Sequence, residues 1–346
     1  MTEHWPRALT KPQRLNAGDT IAVVSPSWGG PGTFPDRYEA GLACLRERFG
    51  FEIVEMAHTR ADENWLAENP AARAADIMTA FADPRIKGIF ASIGGDDSAR
   101  LEPFLDLSVL SANPKILIGY SDTTALHFAC LKAGVQSFYG PSVMSGFAEN
   151  AGISPTTEAS FRAVVMNGHP HTLPWAQEGW TDQMLDWADP TNQHRARQRQ
   201  PSSGPKTLRG SGTVSGRLIG GCLEVLEMIK ATPWWPPLDY WDGAVLFLET
   251  SEEAPDADRV RRWVRNFAAQ GILDRVSAVL LSRPAGMDSE GQAAQELAVL
   301  GVLDERGLFE LPLICNLDFG HTDPIVTLPY GGQVSIECQT SKVSLL

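Results

Sequence analysis

The strongest constraint on the fold is a regular alternation of short apolar runs with longer amphipathic segments through the first 150 residues. The amphipathic segments carry apolar residues at helical spacing, and several of them begin at proline or end at glycine, as helices do. Strands that alternate with helices at this spacing indicate βαβ units and a mostly parallel sheet. The runs that predict strands are TIAVVSPS, FEIVEM, IKGIFASIGG, KILIGYS and SFYGP.

Residues 151–210 interrupt this pattern. They are polar, with clusters of proline, serine and glycine, which predicts a linker between two domains. Beyond them, runs such as AVLFLETS and VSAVLLSRP predict a second, smaller α/β unit. We therefore expect an N-terminal α/β domain over residues 1–150, the linker over 151–210 and a C-terminal α/β domain over 211–346.

The formal net charge of −13 disfavours binding to nucleic acid or to an anionic membrane surface, since both need a basic protein face. The sequence shows no membrane span, and its first residues, MTEHWPRALTKPQRL, lack the apolar core of a signal peptide. Five dispersed cysteines predict free thiols and a cytoplasmic protein. His169 and His171 come nearest to a metal-ligand pair, and we interpret them as part of a polar loop.

Polar residues that directly follow the apolar runs are the best candidates for a site. In open parallel sheets, ligands bind beyond the carboxyl ends of the strands. Among these positions a serine at 121, a glutamate at 249 and a histidine at 321 follow one another along the chain. The candidates are Ser25, Gly94, Gly95, Ser121, Glu249 and His321.

Ser121 lies where the strand KILIG is expected to turn into a helix. A serine at such a turn presents its hydroxyl outward, and the N–H groups beside it can stabilise an oxyanion. The N–H of Asp122 is one candidate donor. The turn at Gly94 and Gly95 is the other, because glycine lets the backbone approach closely.

A nucleophilic serine needs a base and a carboxylate that orients the base, for which His321 and Glu249 are the candidates. Other interpretations stay open. Ser121 is also a suitable N-cap residue. The segment GYSDT departs from the G-x-S-x-G motif of α/β-hydrolases, because Thr123 replaces the second glycine.

Two further classes of protein remain as alternatives. A non-catalytic protein would hold a small ligand through the backbone of Ser25, Gly94 and Ser121. A hydrolase of the α/β-hydrolase type would instead have one continuous eight-stranded sheet.

The segments IGGDDSARL, GYSDTTALH, GRLIGGCLEVL, AVLFLETSEE and FGHTDP together resemble the LD-carboxypeptidase family of serine peptidases, from about residue 15 to the C-terminus. Within that family they are most similar to the MccF-like branch of microcin immunity peptidases. The resemblance implies a doubly wound N-terminal domain, a smaller C-terminal α/β domain, an active site at their junction and a homodimer. It implies no metal and no cofactor.

The resemblance also assigns roles to individual residues. Ser121 matches the nucleophile, Glu249 the triad carboxylate and His321 the triad base. The amides of Gly94 and Asp122 match the oxyanion hole.

The branch implies a small substrate in which an amide joins an aminoacyl or peptidyl group to a nucleotide-like group. The alternative is a murein tetrapeptide that releases D-alanine. EGWTDQMLDW resembles the aromatic substrate loop of the branch, so Trp180 is expected to stack on a nucleobase, unless the tryptophans only pack the loop against the body. Gly95 and Ser25 are further expected substrate contacts.

Two features leave the substrate open. Cys222 stands where relatives often have asparagine, and a thiol cannot make the hydrogen bonds of an amide. The arginines at 195, 197 and 199 are interpreted as a solvated loop, with contact to a phosphate as the alternative.

Overall fold

The computed structural model describes residues 5–168 and 171–346, so His169 lies outside the described residues. The strands are β1 (Thr20–Val24), β2 (Glu52–Glu55), β3 (Ile86–Ala91), β4 (Ile116–Gly119), β5 (Ser137–Tyr139), β6 (His171–Thr172), β7 (Lys206–Arg209), β8 (Thr213–Cys222), β9 (Val245–Glu249), β10 (Ala278–Ser282), β11 (Leu313–Leu317), β12 (Leu328–Tyr330), β13 (Gln333–Glu337) and β14 (Lys342–Leu345). The α-helices are α1 (Gly30–Thr33), α2 (Pro35–Phe49), α3 (Glu63–Glu68), α4 (Pro70–Ala82), α5 (Leu107–Ala112), α6 (Thr124–Ala133), α7 (Pro155–Phe161), α8 (Leu223–Ile229), α9 (Ala257–Ala269) and α10 (Ser289–Glu305).

The first sheet has six strands in the order β12-β5-β4-β3-β1-β2. The five strands β1 to β5 run parallel, and β12 pairs antiparallel with β5. In this order β2 lies on one side of β1 and β3 lies on the other. The strand order therefore reverses between β1 and β3, and doubly wound folds bind ligands at such a switch point. The predicted doubly wound, mostly parallel sheet is confirmed.

Successive residues of β1 explain why its run is apolar throughout. Ile21 and Val23 face the core that contains residues of α2, whereas Ala22 and Val24 face the core that contains residues of α4. Because helices cover both faces of the sheet, all four residues from Ile21 to Val24 are buried.

The second sheet has eight strands in the order β6-β14-β13-β8-β9-β10-β11-β7. Its central strands β8 to β11 are parallel, and antiparallel strands flank them. The predicted second α/β unit is therefore confirmed. Two separate sheets also exclude the single continuous sheet of the α/β-hydrolase alternative.

The two sheets exchange chain segments. β6 and β7 come from the range predicted as a linker and join the second sheet, whereas β12 comes from the C-terminal part and completes the first sheet. The proposed domain boundaries stay a prediction. Within residues 5–168 and 171–346, no helix has both the length and the apolar character that crossing a bilayer requires.

The end of β8 packs directly on the start of α6, next to Ser121. A side chain at Gly221, whose φ is +127°, would place its Cβ 2.6 Å from the Thr124 hydroxyl oxygen. The N–H of Cys222 donates a hydrogen bond of 3.2 Å to the same hydroxyl. Glycine at this position lets the two sheets meet closely enough to share one site.

Candidate active site

Ser121 lies directly after β4, in a tight turn that leads into α6. Its φ of 59° is in the left-handed region, which a non-glycine residue rarely adopts. A Cβ added to Gly94 would lie 2.9 Å from the Ser121 Cβ, so only glycine fits beside it. The Ser121 side chain makes no capping hydrogen bond to the helix, and its hydroxyl instead meets His321.

Three side chains from both sheets form one chain of hydrogen bonds. His321 Nε2 lies 3.0 Å from Ser121 Oγ, and His321 Nδ1 lies 2.6 Å from Glu249 Oε2. Glu249 is the last residue of β9 and is fully buried, while His321 lies in the loop after β11. The structure thus brings together the serine, histidine and glutamate that the sequence placed far apart.

Tyr139, the last residue of β5, forms hydrogen bonds to both Glu249 and Ser121. Its hydroxyl donates to Glu249 Oε1 at 2.5 Å and accepts the Ser121 N–H at 3.1 Å. Burial and the Glu249 carboxylate raise the pKa of Tyr139, so the hydroxyl keeps its proton. The sequence patterns did not single out Tyr139, although it ends a predicted strand and carries a polar group there.

Opposing effects act on the imidazole of His321. Burial lowers its pKa, but the carboxylates of Glu249, Glu252 and Glu224 outweigh burial and raise the pKa to about 9. Glu252 Oε2 lies 3.1 Å from His321 Nε2. In the free protein at neutral pH, His321 is therefore an imidazolium whose Nε2–H faces Glu252 and Ser121.

The two expected oxyanion donors lie side by side. A Cβ built on Gly94 would be 3.0 Å from Ser121 Oγ and 3.4 Å from the Asp122 nitrogen. The Asp122 carboxylate accepts the Ser98 N–H at 2.7 Å, and the Ser98 hydroxyl donates to the Asp122 carbonyl at 2.6 Å. These bonds hold the loop after β3 against the turn at Ser121, which fixes the two backbone segments relative to each other.

A cavity of about 520 Å³ opens over Ser121 and His321. Aromatic rings form one of its walls: the centroids of Trp28 and Phe34 are 5.9 Å apart, and those of Phe34 and Trp187 are 5.8 Å apart. The other lining residues are Arg37, Ile93, Gly94, Gly95, Tyr120, Ser145, Asn150, Asp182, Gln183, Met184, Leu185, Asp186, Arg197, Glu252 and Asp323. Volume and lining suit a small molecule with a planar aromatic part.

The structure corrects two of the expected substrate contacts. Trp180 is 6% exposed, lies outside the cavity lining and packs against the Arg283 guanidinium at 4.8 Å, so its ring belongs to the protein interior. Trp187 of the same loop lines the cavity instead. Ser25 also lies outside the lining, because its hydroxyl donates to the Thr59 carbonyl at 2.7 Å.

The arginines at 195, 197 and 199 were expected in a solvated loop, and the structure agrees with this only in part. Arg195 is exposed, as expected, but the Arg197 side chain is 7% exposed and forms ion pairs with Glu149 and, at 2.5 Å, with Asp323. Arg197 therefore anchors the loop to the body of the protein. Two carboxylates already neutralise its charge, which leaves it poorly suited to bind a phosphate.

Cys222 is buried outside the cavity, and its thiol lies 3.2 Å from Glu224 Oε2. Burial and the carboxylates of Glu249 and Glu224 raise the pKa of this thiol. A protonated thiol at this depth supports Glu224 and does not reach a ligand in the cavity.

The two-sheet fold, together with a serine, a histidine and a carboxylate linked in this order, defines a serine-type hydrolase. The LD-carboxypeptidase N-terminal domain model matches residues 21–140, and the LD-carboxypeptidase C-terminal domain model matches residues 215–336. The chain belongs to the LD-carboxypeptidase family.

Relatives and solved structures agree with this assignment. The chain is 32% identical to the microcin C7 self-immunity protein MccF of Escherichia coli over 96% of this chain and 94% of that protein. It is 30% identical to the murein tetrapeptide carboxypeptidase of Pseudomonas aeruginosa over 92% of each chain. A solved structure of MccF in complex with aspartyl sulfamoyl adenosine superposes with a TM-score of 0.86, at 30% identity, and covers 96% of this chain and 97% of that one.

Proposed function

We propose that this protein hydrolyses the amide bond between an aminoacyl group and a nucleotide-like group, with Ser121 as nucleophile, His321 as base and Glu249 as the orienting carboxylate. The observation that carries the proposal is the hydrogen-bonded chain from Ser121 through His321 to Glu249 at the base of the cavity. The geometry matches the arrangement in which a histidine relays a proton between a serine and a leaving group.

The reaction proceeds in two halves. Neutral His321 accepts the Ser121 proton as Oγ bonds to the scissile carbonyl carbon, and the N–H groups of Gly94 and Asp122 stabilise the oxyanion. The carbon–nitrogen bond then breaks, and His321 gives its proton to the leaving nitrogen. A water molecule next attacks the Ser121 ester, with His321 again as base, which releases the carboxylate and restores the serine.

The aromatic wall supports a nucleotide-like leaving group. The Arg37 guanidinium stacks on the Trp187 ring at 4.9 Å, which holds that ring in place at the cavity. Planar bases stack favourably on such fixed rings. The relative MccF, solved with aspartyl sulfamoyl adenosine, carries the same type of ligand.

Release of D-alanine from a murein tetrapeptide is the second candidate function. It is favoured by the 30% identity to the murein tetrapeptide carboxypeptidase of Pseudomonas aeruginosa. The same triad would serve, because the two reactions differ in the groups on either side of the amide and not in the chemistry.

A side-by-side assay of purified protein separates the two candidates. Alanyl sulfamoyl adenosine is expected to be cleaved, and a murein tetrapeptide is expected to be cleaved far more slowly. Trp187→Ala should raise KM about tenfold for the nucleotide substrate, since stacking contributes about 1–3 kcal/mol per base, and should leave hydrolysis of any tetrapeptide unchanged. Trp235→Ala, which removes a tryptophan outside the cavity, is the control. Release of D-alanine alone would overturn the preferred substrate.

The pH dependence of the reaction follows from His321. Its neutral form is the base, and its pKa of about 9 leaves most of the free protein protonated at neutral pH. We therefore expect kcat/KM to rise with pH through the neutral range and to level off near the pKa of His321. Initial rates at low substrate concentration over a pH series measure this profile. A profile already flat at neutral pH contradicts it.

The cytoplasmic location and the homodimer remain part of the proposal. The dispersed cysteines are all free thiols in the structure, which suits a reducing compartment. Light scattering of the purified protein at two concentrations is expected to give twice the mass of the single chain. A single-chain mass at both concentrations would rule the dimer out.

A further inference from the structure

We propose that Glu252 selects the acyl group of the substrate by charge: it binds a cationic side chain on the aminoacyl part and repels an acidic one. This inference rests on the proposed function, because it concerns the substrate of that site. The triad itself does not require the carboxylate of Glu252.

Glu252 lies at the reaction centre and not at a distant rim. Its Oε2 is 3.1 Å from His321 Nε2, the same nitrogen that lies 3.0 Å from Ser121 Oγ. The residue lines the cavity, and its side chain is 71% exposed. The Glu252 carboxylate is therefore within reach of groups that flank a carbonyl carbon placed at Ser121 Oγ.

His321 is the only charged partner of Glu252 in the part of the chain that the structure describes, where no lysine or arginine lies within ion-pair distance of it. The cavity cation Arg197 is already paired with Glu149 and Asp323. Arg37 lies against Trp187, at the aromatic wall. Beside Ser121, the two carboxylates of Glu249 and Glu252 therefore face a single cationic group, His321. The net charge there is negative.

This arrangement couples binding to activation. In the free protein, the Nε2–H of the imidazolium faces Glu252, so the base is not ready to accept the serine proton. An ammonium or guanidinium group on the substrate can take over the hydrogen bonds of Glu252 and release His321 as a neutral base. An acidic side chain in the same place would meet the carboxylate of Glu252 and bind poorly.

The other charged and titratable groups around His321 do not share this role. Glu249 holds Nδ1, Glu224 accepts hydrogen bonds from Ser251, and Tyr120 contacts the imidazole with its ring. Among these groups, only Glu252 lines the cavity with a free carboxylate oxygen. It is the group that a substrate cation can reach.

The test compares kcat/KM for lysyl, alanyl and aspartyl sulfamoyl adenosine at one pH. Wild-type protein should favour lysyl over aspartyl by about 100-fold, and Glu252→Gln should lower that ratio at least tenfold. Glu252→Lys should reverse the order. The ratio of kcat/KM between substrates cancels any effect of the substitutions on the pKa of His321 in the free protein and any contact of Glu252 with the α-ammonium group, because both are common to all three substrates.

Glu253→Gln is the matched control, since it makes the same change one residue along, at an exposed position outside the cavity lining. It should keep the wild-type ratio. Equal ratios in wild type and Glu252→Gln would overturn the role of Glu252 while leaving the proposed function intact. Failure of wild-type protein to cleave any of the three compounds would instead overturn the proposed function, and the role of Glu252 with it.

Discussion

Ser121→Ala is expected to reduce turnover of the sulfamoyl adenosine substrate by about 10⁴-fold or more, because the substitution removes the oxygen that attacks the carbonyl carbon in the first half of the reaction. The fold should survive. The hydroxyl makes one side-chain hydrogen bond, to His321, and the backbone N–H that bonds Tyr139 is kept. Turnover is measured by release of the nucleoside product, and folding by thermal unfolding.

A serine-reactive fluorophosphonate gives a second readout for the same variant. Wild-type protein should be labelled and Ser121→Ala should not. Ser289→Ala, at an exposed position that begins α10, controls for loss of any serine and should behave as wild type. Normal turnover by Ser121→Ala would refute the assignment of Ser121 as the nucleophile. Labelling of the wild-type protein without turnover would refute the proposed substrate class.

Glu249→Gln is expected to lower kcat by about 10³-fold or more while the protein stays folded. The amide has the shape of the carboxylate but carries no charge, so it no longer stabilises the imidazolium that forms when His321 accepts the serine proton. Its NH₂ group facing Nδ1 would also favour the tautomer with a proton on Nε2, which cannot accept one from Ser121.

The pH profile distinguishes this role from simple damage to the site. Loss of the Glu249 carboxylate removes a group that raises the pKa of His321, so the residual activity should level off at lower pH than in wild type. Glu253→Gln is the matched control and should leave both kcat and the profile unchanged. Equal kcat in Glu249→Gln and wild type would exclude Glu249 from the triad.

The sequence was sufficient to find the residues at strand ends. Ser121 follows an apolar run and Glu249 ends one, and the parallel strands of a sheet bring their carboxyl ends to one edge, so each residue lies at the ligand-binding edge of its own sheet. The pairing of the two sheets that unites Ser121 with His321 came from the resemblance to a known family. No local pattern encodes a contact between residues 200 positions apart.

The side chains that line the cavity were less predictable. Trp180 and Trp187 lie in one irregular loop, where no periodicity indicates which ring faces inward. The Trp180 ring packs on the buried Arg283 guanidinium, a contact that the sequence does not reveal. Ser25 follows a strand as Ser121 does, but its hydroxyl turns back to the Thr59 carbonyl. A strand end thus predicts the place of a residue better than the direction of its side chain.

The exchange of segments between the sheets has a consequence for synthesis of the chain on the ribosome. The proposed nucleophile at residue 121 is made 200 residues before the proposed base, and β12, which completes the first sheet, follows later still. A nascent or prematurely terminated chain therefore exposes a serine without hydrolytic power. Catalysis by the proposed triad therefore requires that the chain has been made at least as far as His321 and β12. Two halves of the chain, separated between Ser121 and His321 and expressed apart, would regain activity only by reassembling, which makes the enzyme suitable as a split reporter.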